Sequence, residues 1–260
     1  RGFQVGIHVD AASGGFIAPF QDSLPDWDFR LKNVLSISAS GHKFGESCIG
    51  TGWVVWRQRE NLSDHVAISV SYLGGMGESY NLNFSRPASG IYVQYYKFLR
   101  YGISGYQKIC EHMMAHAQKI RVGLEKMKFE GKPRFVILDD GDKNCLPVVT
   151  AMLNPECNFE YDDIDLQHSI SEYNWYVSGY KMNFEDPITK QDKPIFTDQD
   201  GSKTMFRVVV KNNINSIMVD NLIDSFGKTL EMLDSIEFKN KTNGTLKGMH
   251  RKKNLFSKHC

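Results

Sequence analysis

The stretch Ser38-Ala39-Ser40-Gly41-His42-Lys43-Phe44-Gly45 sets a lysine directly behind small residues and a histidine. Small residues let the backbone approach a ligand closely, and the hydroxyls and amides of such a stretch can hold a phosphate. An amine placed beside an apolar or cationic neighbour is more readily neutral. It can then attack a carbonyl carbon and form a Schiff base. The alternative for Lys43 is a surface lysine on a glycine-rich turn, and this motif on its own leaves both readings open.

A second stretch, His8-Val9-Asp10-Ala11-Ala12-Ser13-Gly14-Gly15, ends a candidate strand on a carboxylate. An isolated aspartate there is usually a turn former or a helix cap. Paired with a strand-end lysine it suits pyridoxal phosphate chemistry, in which an acid keeps the pyridine nitrogen protonated and the ring becomes an electron sink. Strand alternation would put Ala12 on the same face as Asp10, where its methyl is small enough to lie flat against a ring.

These residues need elements to position them. Gln4–Ala12, Val34–Ala39 and Thr51–Trp56 read as short apolar strands bounded by Gly and Ser, which suits a buried sheet. From Gly90 the period becomes helical. Ile91, Tyr95, Phe98 and Leu99 form one stripe, and after a glycine-rich break Ile109, Met113, Ala117, Ile120 and Leu124 form another. Both stripes predict core packing. Beyond them, Arg134–Leu138, Val148–Leu153 and Phe206–Val210 read as strands. Asp162–Tyr176 reads as a helix capped by Asp162 or Asp163. The apolar spacing of Val219, Leu222, Ile223, Phe226, Leu230 and Leu233 marks a strong amphipathic helix. This alternation predicts a second, compact α/β unit, with a boundary near 110–115. Lys181–Lys203 reads as a polar loop, and the pattern fades from Lys239 into a tail.

Composition narrows the function classes. The chain has 260 residues, 41% apolar and 23% charged, with Lys+Arg 31 against Asp+Glu 30 and a net charge of +1. Such a balance provides no strong field toward nucleic acid or an acidic membrane. No run of 18 or more apolar residues predicts a membrane span, and no apolar opening segment predicts a secretory leader. The five cysteines, Cys48, Cys110, Cys145, Cys157 and Cys260, form no C-x-x-C pair, so free thiols and no metal site are expected. Four N-x-S/T triplets, at Asn61, Asn83, Asn240 and Asn243, then read as chance matches. The first stretch already reads as a core strand behind Arg1, which suggests a cut through a longer protein.

Asp10-Ala11-Ala12 together with Ser38–Lys43 resembles the pyridoxal phosphate-dependent group II amino acid decarboxylases, and within them the glutamate decarboxylases of bacterial, plant and fungal type. The likeness extends through Phe16, Ala18-Pro19-Phe20, Trp27–Leu31, Gly52-Trp53-Val54, Tyr72-Leu73-Gly74-Gly75 and Asn83–Ala88. It is essentially gap-free to about residue 110 and looser beyond.

The resemblance implies an α/β fold of the fold-type I, aspartate aminotransferase-like class. Residues 1–113 would be the latter part of the cofactor-binding large domain, 114–245 the small C-terminal α/β domain, and 246–260 a basic tail. Lys43 would hold pyridoxal 5'-phosphate as a Schiff base, Asp10 would pair with the pyridinium, and Ala12 would pack on the ring. Ser40 and His42 would bind the phosphate. Ser85 would do so from the neighbouring subunit, implying a homodimer or higher homo-oligomer with shared sites. Arg207 would engage a carboxylate of L-glutamate, a task suited to a bidentate guanidinium; the alternative is a surface arginine on a strand edge. Tyr72 would belong to a mobile hairpin and donate a proton, or else pack in the core. Met76-Gly77-Glu78-Ser79-Tyr80 departs there from the more apolar family pattern.

The tail Phe256-Ser257-Lys258-His259-Cys260 resembles that of bacterial acid-resistance decarboxylases, in which a penultimate histidine plugs the site near neutral pH; His259 would be that residue. A basic tail without such a role is the alternative. The tail lacks Trp, so a calmodulin segment is not favoured, and no nucleic-acid partner is expected. The implied reaction is α-decarboxylation of L-glutamate to 4-aminobutyrate and carbon dioxide in the cytoplasm, with little activity from these residues alone. Rivals are a related lyase acting on an aromatic amino acid, cysteine sulfinate or a sphingoid phosphate, and a truncated homologue serving as a scaffold.

Overall fold

In the Val34–Ser40 segment, Val34 and Ser36 are buried, and the segment forms the central strand, β2, of a three-stranded sheet. The computed structural model describes residues 5–243 except 23, 65–67, 73–74, 81–82, 84, 140, 142–144 and 195–202. The chain divides into two compact units, Arg1–Met114 with Asp142–Leu146, and Ala115–Gly141 with Pro147–Cys260.

In the first unit, β1 (Ile7–Asp10) runs parallel to β2, and β3 (Gly52–Trp56) pairs with β2 antiparallel. The expectation of a buried sheet holds for β2 only in part and fails for its neighbours. Val54 and Val55, on opposite faces of the edge strand β3, are more than half exposed. A hairpin of β4 (Ile68–Tyr72) and β5 (Gly75–Ser79) follows.

Helix α1 (Ser89–Glu125) joins what the sequence reads as two helices. The glycine-rich break survives as a kink at Gly102, whose φ of 56° lies in the left-handed region that glycine enters at little cost. Past the kink, Met113, Ala117, Ile120 and Leu124 are buried as expected. Before it the expectation of core packing is corrected: Ile91, Tyr95 and Leu99 are exposed, Leu99 at 70%. The covered face there carries Gln94 and, beyond the kink, Tyr106, whose ring lies among Phe16, Phe20 and Phe98.

The second unit begins with a small hairpin, β6 (Lys128–Phe129) and β7 (Lys132–Pro133). Its main sheet is antiparallel, in the order β10 (Ser178–Lys181), β13 (Thr204–Val209), β9 (Val148–Leu153), β8 (Phe135–Ile137). Phe206 and Val208 on β13 are buried while Arg207 between them is exposed, the alternation a sheet with one covered face requires. Phe206 meets Phe135 and Phe226, with ring centroids 5.5 and 5.4 Å away. Each such burial is worth about 1.5–3 kcal/mol.

Phe226 comes from α3 (Ser216–Asn243), so helical structure continues past Lys239. Helix α2 (Asp163–Ile170) is shorter than its sequence pattern and passes into a 3₁₀ turn at Ser171–Tyr173. Asp162 caps it, accepting the Ile164 and Asp165 N–H groups at 2.9 Å each. The polar loop reading is also corrected: β11 (Asn183–Glu185) and β12 (Asp192–Pro194) pair as a hairpin inside it. Among the described residues, no helix is long and apolar enough to cross a membrane.

Candidate active site

Because β1 and β2 are parallel, their carboxyl ends share one edge, the place where open α/β sheets bind ligands. Asp10 stands opposite Ser38 in register. Past the strand end the chains stay laced: Ala11 N–H donates to the Ser38 carbonyl at 2.9 Å, and Ser40 N–H to the Ala12 carbonyl at 3.1 Å. Asp10, Ala12 and Ser40 are thereby brought together. Ala12 reaches this edge by a different route from the one strand alternation predicts. β1 ends at Asp10, and Ala12 lies in the following turn, its N–H donating back to Asp10 Oδ1 at 3.1 Å. Ser38 Oγ donates to the same oxygen at 3.4 Å, and Oδ2 has no partner among the described residues.

Lys43 sits on a tight turn that leaves β2. Its N–H donates to the Ser40 carbonyl at 3.2 Å, its carbonyl accepts from Glu46 N–H at 3.4 Å, and Ser47 N–H closes onto the Gly41 carbonyl at 2.8 Å. Glycine is needed at Gly45 for close approach: a Cβ there would lie 2.7 Å from the Gly41 carbonyl oxygen and 2.9 Å from the Phe16 ring. The Lys43 side chain is half-buried, and its amine makes no ion pair or hydrogen bond with a described residue.

His42 places Nδ1 at 2.8 Å from the Thr51 carbonyl oxygen. A carbonyl only accepts, so Nδ1 carries a proton. Nε2 is then the nitrogen left for an anion, to which it can donate only as imidazolium. Ser40 Oγ has no hydrogen-bond partner among the described residues.

The remaining candidates are carried by other elements. Ser85 is exposed ahead of α1. Tyr72 lies on β4, its backbone paired with Gly75 at the hairpin end. Arg207, in the second unit, is exposed on β13 with its guanidinium 5.0 Å above the Tyr180 ring. It has no carboxylate partner among the described residues. His259 lies outside the described residues.

This edge fits pyridoxal phosphate: among the described residues it offers an unpaired amine, a carboxylate with one oxygen committed and one open, and hydroxyl and imidazole groups within the same turn. Among the described residues, no group of three or more His, Cys, Asp or Glu side chains could hold a metal ion. Two residues of this architecture escape sequence reasoning. Thr51 orients His42 through its carbonyl, which leaves no trace in residue type. Gln94 has a signal, an amide interrupting the aromatic run of α1.

The family model described as the pyridoxal-dependent decarboxylase conserved domain matches residues 2–151. The chain is 41% identical over 222 residues to a glutamate decarboxylase of Aliivibrio fischeri, covering 85% of this chain and 44% of that one. It is 34% identical over 235 residues to a glutamate decarboxylase of Petunia hybrida, with 90% and 42% covered. Among solved structures, glutamate decarboxylase of Lactobacillus brevis superposes with a TM-score of 0.73 at 34% identity, over 88% of this chain and 47% of that one. A sphingosine-1-phosphate lyase of Burkholderia pseudomallei superposes at 0.63 with 19% identity, over 92% and 49%, and shares the fold. The chain spans less than half the length of each of these relatives.

Proposed function

The chain belongs to the pyridoxal-dependent decarboxylase family, and from that premise we propose that it is the lysine-bearing part of a glutamate decarboxylase, which converts L-glutamate to 4-aminobutyrate and carbon dioxide. The observation that carries this reading is Lys43, a partly covered residue just past the carboxyl ends of β1 and β2, whose amine has no counter-ion among the described residues. The glutamate decarboxylases matched over most of the chain support the choice of substrate.

Pyridoxal 5'-phosphate, when bound, supplies a ring that accepts the electron pair left at Cα as the α-carboxylate departs. Lys43 Nζ would hold its aldehyde carbon. Asp10 would keep a proton on the ring nitrogen through Oδ2, with Oδ1 fixed by Ala12 and Ser38. Ala12 would present a methyl group to the ring. Ser40 Oγ and His42 Nε2 would bind the phosphate, and Ser85 would join them from a second copy in a homodimer or larger homo-oligomer. Arg207 would bind a substrate carboxylate, its plane steadied by Tyr180.

In the balanced reaction the bond from Cα to the carboxylate breaks, a Cα–H bond forms and one proton is consumed. Tyr72, on the hairpin, would deliver that proton, and closure over the site would exclude water. His259 would cap the site near neutral pH. The cytoplasm is the compartment this reading implies. The test is a product assay, with L-glutamate as sole amino acid, on the full-length protein that carries these residues. Stoichiometric 4-aminobutyrate and carbon dioxide are expected, and the absence of both contradicts the reading.

A further inference from the structure

Gln94 is fully buried, at 0% exposure. Burying a primary amide costs free energy unless its groups are matched, so its partners indicate what it holds. Nε2 donates to the Gly45 carbonyl at 2.9 Å and to the Tyr106 hydroxyl oxygen at 3.1 Å. The Tyr106 hydroxyl donates to the same Gly45 carbonyl at 3.3 Å. One carbonyl of the lysine turn is therefore gripped by two buried donors. Burial also pushes the Tyr106 phenol up to about 12, which keeps it a donor.

The other end of the amide meets the start of the same turn. Oε1 lacks a hydrogen-bond partner among the described residues, as does Trp53 Nε1. Both stand against Gly41, where a Cβ would lie 2.3 Å from Gln94 Oε1 and 3.2 Å from Trp53 Nε1. Gly41 thus leaves room for the amide, and an acceptor and a donor flank it together.

Two further ties come from the same helix. Ser47 Oγ donates to the Gly90 carbonyl at 2.5 Å, and Lys97 Nζ pairs with Glu46 at 2.9 Å. Gly90, Gln94 and Lys97 follow one helical stripe. An apolar side chain could fill the volume at position 94. The two bonds that Nε2 donates add a directional hold on the turn that packing lacks.

We propose that Gln94 is a positioning residue for Lys43: by fixing the Gly45 carbonyl it holds the turn that presents the lysine amine to the cofactor. This rests on the reading of Lys43 as the cofactor lysine. The test uses Gln94→Met, which keeps the volume and removes the donors, and Tyr106→Phe, which removes only the hydroxyl. After reconstitution of the full-length protein with pyridoxal 5'-phosphate, cofactor release is followed by its absorbance. Hydrogen exchange of the 41–47 backbone amides is followed in parallel.

Release and local exchange should each speed up about tenfold in Gln94→Met and about threefold in Tyr106→Phe, with protection elsewhere in the first unit retained. Unchanged release and exchange in both variants overturn the proposal. So does a uniform loss of protection across the unit with release unchanged in Tyr106→Phe. If the wild-type protein binds no cofactor, the reading of Lys43 fails, while exchange at 41–47 still decides whether Gln94 holds the turn.

Discussion

Asp10 and Ser38 face each other across the parallel pair β1 and β2, and the Ser38 hydroxyl donates to Asp10 Oδ1 at 3.4 Å. With the Ala12 N–H on the same oxygen, the carboxylate is oriented before any ligand arrives. Asp10→Asn keeps the shape and loses the charge that would hold the pyridinium proton. Steady-state assays should show kcat lowered by about a hundredfold or more, the range for losing a preorganised electrostatic group. Cofactor absorbance should remain. A variant with wild-type kcat would remove Asp10 from this role.

Arg207 offers a planar fork above Tyr180, and lysine cannot reproduce it. Arg207→Lys should raise KM for L-glutamate by about 30-fold, the equivalent of roughly 2 kcal/mol of charge-assisted hydrogen bonding, with a smaller change in kcat. Equal KM values for the two proteins would return Arg207 to the status of a surface side chain.

Asp163 gives the second unit a pH dependence of its own. Burial pushes its carboxyl up to about 6 from the ordinary 3.8, with Asp162 adding to the rise; bonds from Thr204 and Leu153 oppose it. Folded protein therefore keeps a proton that the unfolded chain releases. The stabilisation is complete below about pH 4 and is lost as pH rises through about 6, up to roughly 3 kcal/mol in all. Unfolding midpoints measured across that window should fall for the wild-type protein and stay flatter for Asp163→Asn. Parallel slopes would show that Asp163 does not carry the effect.

Gly45 leaves no room for a side chain, since a methyl group there would come within 3 Å of both the Gly41 carbonyl and the Phe16 ring. Gly45→Ala should destabilise the first unit by about 1–3 kcal/mol and weaken cofactor retention, as read by denaturant unfolding and absorbance. An unshifted unfolding curve would show that the turn yields without cost.

The placement of Asp10, Ala12, Ser40, His42 and Lys43 at one strand edge was legible because they come from two short stretches with distinct composition. The α2 start was legible for the same reason, since Asp162 and Asp165 form a capping box within one turn. The α1 stripe was not. Periodicity says that Ile91, Tyr95 and Leu99 share a face, but it does not say whether that face is covered; the buried side holds an amide, which hydropathy reads as solvent-facing. The β11–β12 hairpin was hidden because Asn, Glu, Asp and Pro are poor strand formers. Its turn is set locally, by Asp186 Oδ1 accepting Ile188 and Thr189 N–H groups at 2.9 and 3.0 Å. Gln94 was invisible as a partner of the lysine turn because the contact joins distant parts of the chain.

The central claim is that Lys43 carries the cofactor. The direct measurement is hydride reduction of the protein loaded with pyridoxal 5'-phosphate, followed by mass spectrometry of its peptides. The predicted result is a pyridoxyl label on Lys43, lost together with the cofactor absorbance in Lys43→Ala. A label on another lysine, or an unchanged spectrum in Lys43→Ala, would contradict it.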